Sequence, residues 1–513
     1  MPTIERPERR KTPKQRDANS TLKVIIIGAG LGGLGAAISI RLAGHSVVVL
    51  ESAREIGEVG AGIQCLPNST KILRSWDVHG GLASKASQTQ TCNILSWKGN
   101  LLSSMDFTRT GYEHGAPFND FHRADLHAAL LQRAVGLGVA VYTNSEVTDI
   151  AFNDENHTAR VFTKGQDSQV ADLVVGADGI NSRCREILLQ RPEPPHRTGD
   201  MAYRILLDAK DIRKTGDAEL TKYLDEKAVN YWYGPGAHVG MLSTTYAVTG
   251  KRADNMVVTY PLRGGSQLNL VLLVPDNMPE EGPSTLQGYV DEMQGLFAGW
   301  DPNIGKLLAL CPSVLRWRLC IRNPLDTWVH PSQTLVLLGD SAHATLPYLA
   351  SGAGITFEDA AVLGECLARL TSSSLAEKKK ALAVYELCRK QRTETIVKRG
   401  SIQQDLNHLA DGVEQEERDA KMRAFEDVEQ KLMAGEWKPL PDDLKEGEDP
   451  LVWRRFGVGG WLFSYDAWED VEEKWPAVDE RPNTSLWAKT GGLSPPNVQD
   501  HGRLATIASI TRI

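Results

Sequence analysis

The sequence predicts an α/β protein in which a mixed β-sheet is inserted into the first domain and a helical region follows. Three observations lead to this fold class. Apolar strand, glycine-rich turn, helix and second strand succeed one another from Leu22 to Glu51. Residues 201–331 alternate apolar and polar side chains, with Tyr and Trp among them, as strands do. After Ala360 the apolar residues recur with helical spacing.

Size, charge and cysteine content narrow the classes of function. A chain of 513 residues with 41% hydrophobic residues is long enough for two or more globular domains. Its net charge of -8 gives no electrostatic reason to expect nucleic acid or an anionic membrane as partner. Its 7 cysteines include no C-x-x-C pair, so we expect neither disulfides nor zinc, and a reducing, cytoplasmic location. No apolar run reaches the ~18 residues that a membrane-spanning helix needs.

The composition along the chain predicts its domain boundaries. The first residues are basic and poor in large apolar groups, and the last are rich in Pro, Gly, Ser and Thr, so both ends are predicted to be loose. The predicted order is a disordered basic arm (1–20), the first part of a nucleotide-binding domain (21–200), an inserted β-sheet domain (201–331), the second part of the nucleotide-binding domain (332–400), a helical region (401–478) and a flexible tail (479–513). Part of 92–118 is a candidate member of the inserted sheet.

The first motif is a G-x-G-x-x-G at Gly28, Gly30 and Gly33. It follows an apolar strand and opens a helix, and Glu51 closes the next strand. The first glycine makes the turn, the second lets backbone approach a pyrophosphate, and the third lets helix pack on strand. Glu51 is placed to accept hydrogen bonds from ribose hydroxyls. This context predicts a Rossmann-like dinucleotide site.

Two later strand ends indicate which dinucleotide is bound. One strand ends at Asp178 and another at Asp340, far from the first motif. Such distant contacts would be redundant for NAD but suit the longer FAD, which reaches across the sheet. Asp340 could accept from ribityl hydroxyls. The backbone N–H groups of Gly352, Ala353 and Gly354 open a helix and could face the anionic pyrimidine edge of the flavin.

No second strand–GxGxxG–helix unit is present in the sequence. The glycines of "GEVGAG" (57–62), which end at Gly62, lack a preceding apolar strand and are predicted to form a loop across the flavin. NAD(P)H would therefore bind only transiently. The sequence does not choose between NADH and NADPH.

Taken jointly, the motifs resemble the single-component (group A) flavoprotein aromatic hydroxylases, and in particular the salicylate-hydroxylase-like branch common in fungi. The resemblance runs from about Leu22 to Ala477 and includes "FHRADLHAAL" (121–130), "AYR" (202–204) and "YWYGPGAHV" (231–239). It implies that Arg123 contacts the cofactor, that Asp178 lies near flavin and nicotinamide, and that Pro347 lies beside the reactive edge of the flavin.

The resemblance also implies an activity. The expected enzyme is an FAD-dependent monooxygenase that uses NAD(P)H and O2 to hydroxylate a phenolic acid such as salicylate or hydroxybenzoate through a flavin C4a-hydroperoxide. Replacement of the carboxylate by hydroxyl is one expected outcome. A hydroxylase of polyketide-derived phenols is the first alternative. A flavin dehydrogenase or reductase without oxygen transfer is the second, and a flavin-binding protein without enzymatic activity is the third.

Arg204 is the strongest candidate for substrate binding. An arginine within an apolar strand costs free energy unless it is paired, so a ligand or an internal salt bridge must explain it, and a ligand is favoured. Alternation places Tyr231 and Tyr233 on one face of a strand, but does not say whether that face lines the pocket. A structural role is expected for His343, and packing roles are expected for Trp232, Trp317 and Trp328.

Two further stretches carry expectations. Residues 240–256 separate two strands that are nearly contiguous in the family, so they are either an extended hairpin loop or translated intron sequence. The aromatic stretch 453–475 is predicted to pack over the nucleotide-binding domain. It is also a candidate homodimer contact.

Overall fold

A computed structural model gives the architecture of the protein. It describes residues 11–57, 61–235, 254–434, 436, 440–441, 443–445 and 447–478. The predicted tail (479–513), the first half of the predicted arm and most of the predicted insertion at 240–256 lie outside the described residues.

Among the described residues, strands and helices alternate in the two parts of the nucleotide-binding domain. Strands predominate in the stretch between those two parts. The strands are β1 Lys23–Ile27, β2 Ser46–Leu50, β3 Gly62–Cys65, β4 Ser87–Thr89, β5 Thr91–Ser96, β6 Leu101–Asp106, β7 Phe118–His122, β8 Ala140–Tyr142, β9 Val147–Asn153, β10 Thr158–Thr163, β11 Gln169–Ala171, β12 Leu173–Gly176, β13 His196–Asp208, β14 Ala228–Pro235, β15 Asp254–Leu262, β16 Gln267–Pro275, β17 Thr285–Gln287, β18 Leu315–Ile321 and β19 Leu335–Leu337.

The helices fall mainly in the first domain and after the last strand. They are α1 Leu31–Leu42, α2 Pro67–Ser75, α3 His79–Leu82, α4 Phe107–Glu113, α5 Arg123–Gly136, α6 Arg183–Leu189, α7 Ala209–Lys214, α8 Ala218–Asp225, α9 Val290–Leu296, α10 Pro302–Ala309, α11 Asp340–His343, α12 Gly352–Ala368, α13 Leu375–Asn407, α14 Val413–Met433, α15 Gly459–Ser464 and α16 Ala467–Lys474.

The first domain is built on a five-stranded parallel sheet with the order β19-β12-β1-β2-β8. Its central strands are continuous apolar runs and are almost wholly buried, as expected for a parallel sheet covered on both faces. Strand β19 pairs with β12 although about 160 residues separate them. In the sequence, the inserted domain therefore lies between the two parts of one sheet domain. This arrangement confirms the predicted fold class.

Helices α1 and α12 cross at very short range because small residues face each other. A Cβ at Gly32 would lie 2.6 Å from the Thr356 methyl, and one at Gly364 would overlap the Ser39 hydroxyl. The crossing brings together two helices that begin 321 positions apart, at Leu31 and Gly352.

The inserted domain is an eight-stranded mixed sheet with the order β17-β18-β13-β16-β15-β14-β5-β6. Strands β5 and β6 come from the 92–118 region and join it through a parallel pairing of β14 with β5. One face packs against Leu346, Tyr348 and Leu349, which follow β19, and we call it the inner face. The opposite face is covered by the apolar side chains of α7 to α10.

Two three-stranded sheets complete the strand structure. Strands β3, β7 and β4 form an antiparallel sheet between the nucleotide-binding and inserted sheets, and β11, β10 and β9 form a second. The first of these places β3 beside the inner face, because the Gly62 amide donates to Asn269 Oδ1 on β16 at 2.8 Å.

The helical region packs back on the rest of the chain. The Lys71 ammonium donates to the carbonyls of Phe463 and Tyr465, and the Arg392 guanidinium stacks over Trp461 at 4.4 Å. Within the described ranges, no helix is both long enough and apolar enough to cross a bilayer.

The predicted disordered arm needs correction in its second half. Arg16 donates hydrogen bonds to the carbonyls of Leu367, Ala368 and Leu370, at and just after the end of α12. Lys14 binds the Leu42 carbonyl through its backbone amide. These bonds satisfy carbonyls at two helix ends, so the basic residues hold a segment that composition alone indicated to be loose.

Candidate active site

The glycine turn between β1 and α1 uses its three glycines for different reasons. Gly28 has φ +101°, and a Cβ there would lie 2.5 Å from the Ala177 carbonyl oxygen. A Cβ at Gly33 would overlap the Gly28 carbonyl. The fold itself therefore requires both residues. Gly30 differs, because its φ is -70° and a Cβ there would have nothing within 4 Å.

Glu51 is fixed opposite this turn by backbone amides. Its Oε2 accepts from the Ala29 amide at 2.8 Å, and its Oε1 accepts from the Ala53 amide at 2.8 Å. His127 Nε2 lies 2.7 Å from the Ala29 carbonyl oxygen, so both polar groups of Ala29 are held. Sequence analysis did not single out His127, whose position on α5 gives no local signal of this contact.

A second turn faces the site from β19. Gly339 (φ +67°) lies two residues after the strand, and Ala350 (φ +51°) precedes α12 in a left-handed conformation. At Gly352, φ lies outside the left-handed region, and a Cβ would meet only the Thr345 methyl at 3.5 Å. Neither backbone conformation nor packing demands glycine at Gly352. The same is true of Gly30.

Asp340 lies between these turns. Its side chain is accessible to solvent, yet loss of hydration raises the pKa of its carboxyl, while the nearby charges of His343 and Arg123 oppose that rise. An accessible carboxyl within dense surroundings is the geometry of a cleft floor. Arg123 begins α5, and its amide donates to the Ala61 carbonyl at 2.8 Å beside β3.

The other residues predicted to bind cofactor have protein partners of their own. Asp178 accepts from the Ser182 hydroxyl at 2.5 Å and from the Cys184 amide at 2.9 Å, so it organises the start of α6. A Cβ at Gly62 would lie 2.5 Å from the Tyr260 hydroxyl oxygen, which requires glycine there. Ala353 and Gly354 lie in the first turn of α12.

These residues fit FAD on two observations. Helices α1 and α12 begin without a side-chain cap, which leaves first-turn amides available for an anionic group. Gly30 and Gly352 keep the backbone bare where the fold has room for a side chain. A long dinucleotide with one anionic part at each helix start accounts for both.

The inner face of the eight-stranded sheet presents one row of side chains across four strands. Register pairs Arg204 with Val271, Val271 with Val258, and Val258 with Tyr231. Three strand spacings of about 4.8 Å place Arg204 and Tyr231 about 14 Å apart at their backbones. The row is an apolar floor of two valines with a cation at one end and a phenol at the other.

Arg204 is held over Trp317 on β18, with its guanidinium carbon 4.4 Å from the ring centroid. Its charge also acts on Tyr260, where burial raises the pKa and Arg204 opposes the rise. Trp317 is thus a stacking partner on this face, whereas packing was expected of it. Trp232 and Trp328 are buried, as expected.

The two candidate tyrosines share the inner face of the eight-stranded sheet. The Tyr231 hydroxyl donates to Gln64 Oε1 at 3.1 Å, and its ring lies 5.1 Å from that of Trp453. Tyr233 lies under Arg418, 5.3 Å from its guanidinium carbon. Burial raises the pKa of both phenols, so both are neutral near pH 7.

Pro347 begins a short 3-10 turn and is exposed, while Tyr348 beside it is buried and donates to Asp200 at 3.1 Å. The exposed proline lies between Leu346 and Leu349, both of which pack on the inner face. It therefore lies where the two sheets approach each other.

His343 has the structural role expected for it. Its Nε2 lies 2.6 Å from Asp359 Oδ2, and Asp359 is also paired with Arg389 at 2.8 Å. Glu358 pairs with Arg389 and Arg392 in the same buried cluster. The cluster joins α12 to α13.

Sequence analysis missed four residues that contact the predicted tyrosines or lie close behind them. Gln64 and Asp120 face each other across β3 and β7, and Trp453 and Arg418 come from the helical region. Only Asp120 carried a usable signal, since an acid within the apolar strand "FNDFH" calls for the same explanation as Arg204.

Comparison with known proteins identifies the family of the chain. Residues 21–259 match the family model described as an FAD binding domain. The chain is 39% identical over 452 residues to the FAD-dependent monooxygenase OpS4 of Beauveria bassiana, which covers 87% of this chain and 95% of that protein. It is 32% identical over 382 residues to the 3-hydroxybenzoate 6-hydroxylase of Klebsiella oxytoca, covering 73% of this chain and 86% of that one.

A solved structure of a salicylate hydroxylase substrate complex has a TM-score of 0.66 and 22% identity, and covers 88% of this chain and 98% of that one. At that identity the likeness supports the fold alone. The family match and the similarity to OpS4 together define the class of protein as an FAD-dependent flavoprotein. The chain belongs to the FAD-dependent monooxygenase family, as the relationship to OpS4 establishes. The predicted FAD cofactor and monooxygenase class are confirmed.

Proposed function

We propose that this chain hydroxylates a small phenolic carboxylic acid, with NAD(P)H as transient reductant and O2 as oxidant. The observation that carries the proposal is the row Arg204, Val271, Val258 and Tyr231 on the inner face. Its apolar middle suits a single aromatic ring, and its ends suit an anionic group and a hydroxyl. Relatives named for 3-hydroxybenzoate and 6-hydroxynicotinate as substrates support this class.

Bound FAD supplies the redox and oxygen-transfer chemistry. We assign its binding to the two helix starts and the cleft floor. Gly30 would admit the pyrophosphate beside Gly28 and Gly33, Glu51 would contact the ribose, and Asp340 the ribityl chain. The assignment is completed by Gly62, Arg123, Asp178, Pro347, Gly352, Ala353 and Gly354 around the flavin.

Arg204 orients the substrate by its charge and its planar donors. A phenol with a pKa near 10 must lose its proton near pH 7 to become most reactive, which costs about 4 kcal/mol. One charge-assisted hydrogen bond contributes about 1.5–3 kcal/mol, so Arg204 alone falls short. The same arithmetic is satisfied if Arg204 contacts the carboxylate and a tyrosine holds the phenol at the other end of the row, and Tyr231 is the tyrosine in register with Arg204.

A larger phenol is the second candidate substrate. The chain is 32% identical over 403 residues to the hispidin-3-hydroxylase of Neonothopanus nambi. The approximately 14 Å between the ends of the row would admit such a ligand without a carboxylate at Arg204. Loss of the carboxylate during hydroxylation is a further outcome to be scored for the small acids.

We also propose a cytoplasmic location, because all 7 cysteines are free and six of them are buried. The proposed homodimer contact at 453–475 finds little support, because Trp453, Leu462 and Phe463 are buried within the chain. A dimer would have to use another surface, and sedimentation of the holoenzyme tests for one.

The test of the proposed function combines isotope labelling with one substitution. Salicylate, 3-hydroxybenzoate and 4-hydroxybenzoate are supplied with NADH or NADPH under 18-O2, and label in the organic product establishes oxygen transfer. Arg204→Ala is expected to raise KM about 10- to 100-fold and to divert reducing equivalents to H2O2, with FAD retained. Arg204→Lys should show the same effects more weakly, because it lacks the planar fork.

Arg316→Lys is the matched control, since Arg316 lies on the opposite face of the same sheet and pairs in register with Tyr203. It should leave KM and coupling unchanged. Full turnover without label would identify a dehydrogenase instead of an oxygenase. Normal KM and coupling in Arg204→Ala would place the substrate away from the inner-face row.

A further inference from the structure

A chain of four polar side chains, of which Thr89, Asp120 and Tyr231 are buried and Gln64 is half-buried, runs from β4 to the inner face. The Thr89 hydroxyl donates to Asp120, and the side-chain amide of Gln64, on the neighbouring strand, lowers the pKa of the Asp120 carboxyl. Gln64 Oε1 in turn accepts from the Tyr231 hydroxyl at 3.1 Å. Strand register fixes the arrangement, because Gln64 and Asp120 are directly opposed on β3 and β7. Asp120 is only 1% exposed, and Tyr231 only 4%.

The donors in this chain all point toward Asp120. An ionised carboxylate only accepts hydrogen bonds, so it fixes the nitrogen of the Gln64 amide on its own side and the oxygen on the side of Tyr231. The single hydroxyl proton of Tyr231 is then used by Gln64. What Tyr231 can offer to a ligand on the inner face is a lone pair.

We infer that Asp120 is a positioning residue that makes Tyr231 a hydrogen-bond acceptor toward the substrate, and that protonation of Asp120 reverses the chain and makes Tyr231 a donor. The inference rests on the proposed function for the identity of the ligand, and deepens it. Arg204 can only donate, so the two ends of the row would distinguish an anionic group from a hydroxyl group.

When the hydrogen bonds of this chain reverse direction, every proton is accounted for. Asp120 takes one proton from solvent and donates it to Gln64 Oε1 after the amide rotates. The amide nitrogen then donates to the Tyr231 oxygen, and the Tyr231 proton turns toward the ligand. No bond to carbon changes and no redox partner is required.

The electrostatic surroundings favour such a titration. Burial raises the pKa of Asp120 to about 7, against the donors Thr89 and Gln64. The titratable groups that face Asp120 are Cys65 on β3, Cys92 on β5, Tyr231 on β14 and Tyr260 on β15. Burial raises the pKa of each of these four groups, so all are neutral near pH 7, and the nearest cation of the row, Arg204, acts on Tyr260.

The first test needs no substrate. Infrared difference spectra of the FAD-loaded enzyme with ring-labelled tyrosine are recorded between about pH 5.5 and about pH 8.5, and Tyr231→Phe identifies the C–O band of Tyr231. That band should move as the pH crosses about 7, together with loss of a protonated-carboxyl band. In Asp120→Asn both changes should disappear, whereas Asp106→Asn, at an exposed helix start, should retain them. A Tyr231 band that does not move in the native enzyme overturns the inference.

The second test uses ligand binding to measure whether Tyr231 acts as an acceptor or as a donor. Binding of a hydroxybenzoate and of its methyl ether, which cannot donate, is measured by flavin absorbance. Above about pH 7.5 the native enzyme should favour the hydroxybenzoate about tenfold, and the preference should shrink below about pH 6. Asp120→Asn should remove the pH dependence, and Tyr231→Phe the preference. If both ligands bind and are discriminated equally at every pH, the inference is wrong; if neither binds nor is hydroxylated while the infrared shift is present, only the proposed substrate class is wrong.

Discussion

Two fully buried carboxylates, Glu358 and Asp120, differ by about five pH units in their acidity. Burial would raise the pKa of Glu358, but Arg392 and Arg389 beside it lower that pKa to about 2. Burial also raises the pKa of Asp120, and with only the neutral donors Thr89 and Gln64 nearby it stays at about 7. The Glu358 contacts are ion pairs of 2.8 Å to Arg392 and 2.7 Å to Arg389.

The contrast shows that the partners of a buried acid, more than its depth, decide whether it is fixed or responsive. Glu358 keeps its charge throughout the physiological range and ties α12 to α13. Asp120 changes charge within that range, and the hydrogen-bonded chain from it ends on the inner face. Perturbed acids of this second kind concentrate at functional sites.

The largest change in stability is expected when the ion pairs of Glu358 are removed. Glu358→Gln leaves the buried guanidinium of Arg392 without its charge partner, which should cost about 3–5 kcal/mol of unfolding free energy. Chemical denaturation at pH 7.5 of the FAD-loaded protein measures it. Glu113→Gln is the control, because the Arg109–Glu113 pair is nearly half exposed and should contribute less than about 0.5 kcal/mol. Equal effects of the two substitutions would contradict the distinction between them.

Substitution of Asp120 is expected to have a smaller effect on stability, and one of opposite sign. The folded-state pKa of about 7 exceeds the reference value of 3.8, so the stability that Asp120 contributes is present below pH 4 and is lost as the pH rises through 7. The full loss is about 4 kcal/mol, and we expect Asp120→Asn to recover about 2 kcal/mol at pH 8, because an amide keeps only part of the hydrogen bonding. Denaturation curves from pH 5 to pH 8 should converge at the acid end.

The smallest effect is expected from a substitution that keeps both acids and changes only a neighbour of Asp120. Thr89→Val deletes one neutral donor to Asp120 while keeping the side-chain shape. The pKa of Asp120 should rise further, by about half a pH unit, with stability changed by about 1 kcal/mol. The midpoint of the carboxyl infrared band measures the shift. An unchanged or lower midpoint would show that Thr89 does not hold down the pKa of Asp120.

Local patterns in the sequence predicted the fold well because each depends on near neighbours. The turn at Gly28–Gly33, the strand that ends at Asp340 and the alternating strands around Arg204 each have a spacing that only one local structure satisfies. The same reasoning placed Tyr231 and Tyr233 on one face. It could not say which face lies inward, since that depends on residues 346–349 packing against the inserted sheet.

Long-range pairing accounts for what the sequence did not predict. Gln64 meets Asp120, which lies 56 positions further along the chain, and Trp453 reaches Tyr231 from more than 200 positions away. The bonds of Arg16 to carbonyls beyond residue 366 corrected the predicted arm in the same way. No spacing rule connects such residues, because their meeting is set by the assembled sheets.

The tight crossing of α1 and α12 has a consequence for how the protein is made. Helix α1 leaves the ribosome early, but the surface that fits its glycines and Ser39 is synthesised about 310 residues later. At roughly 5–20 residues per second the interval is about 15–60 s. During that time the nascent chain has the first half of its cofactor site and an apolar helix face that still lacks its native cover.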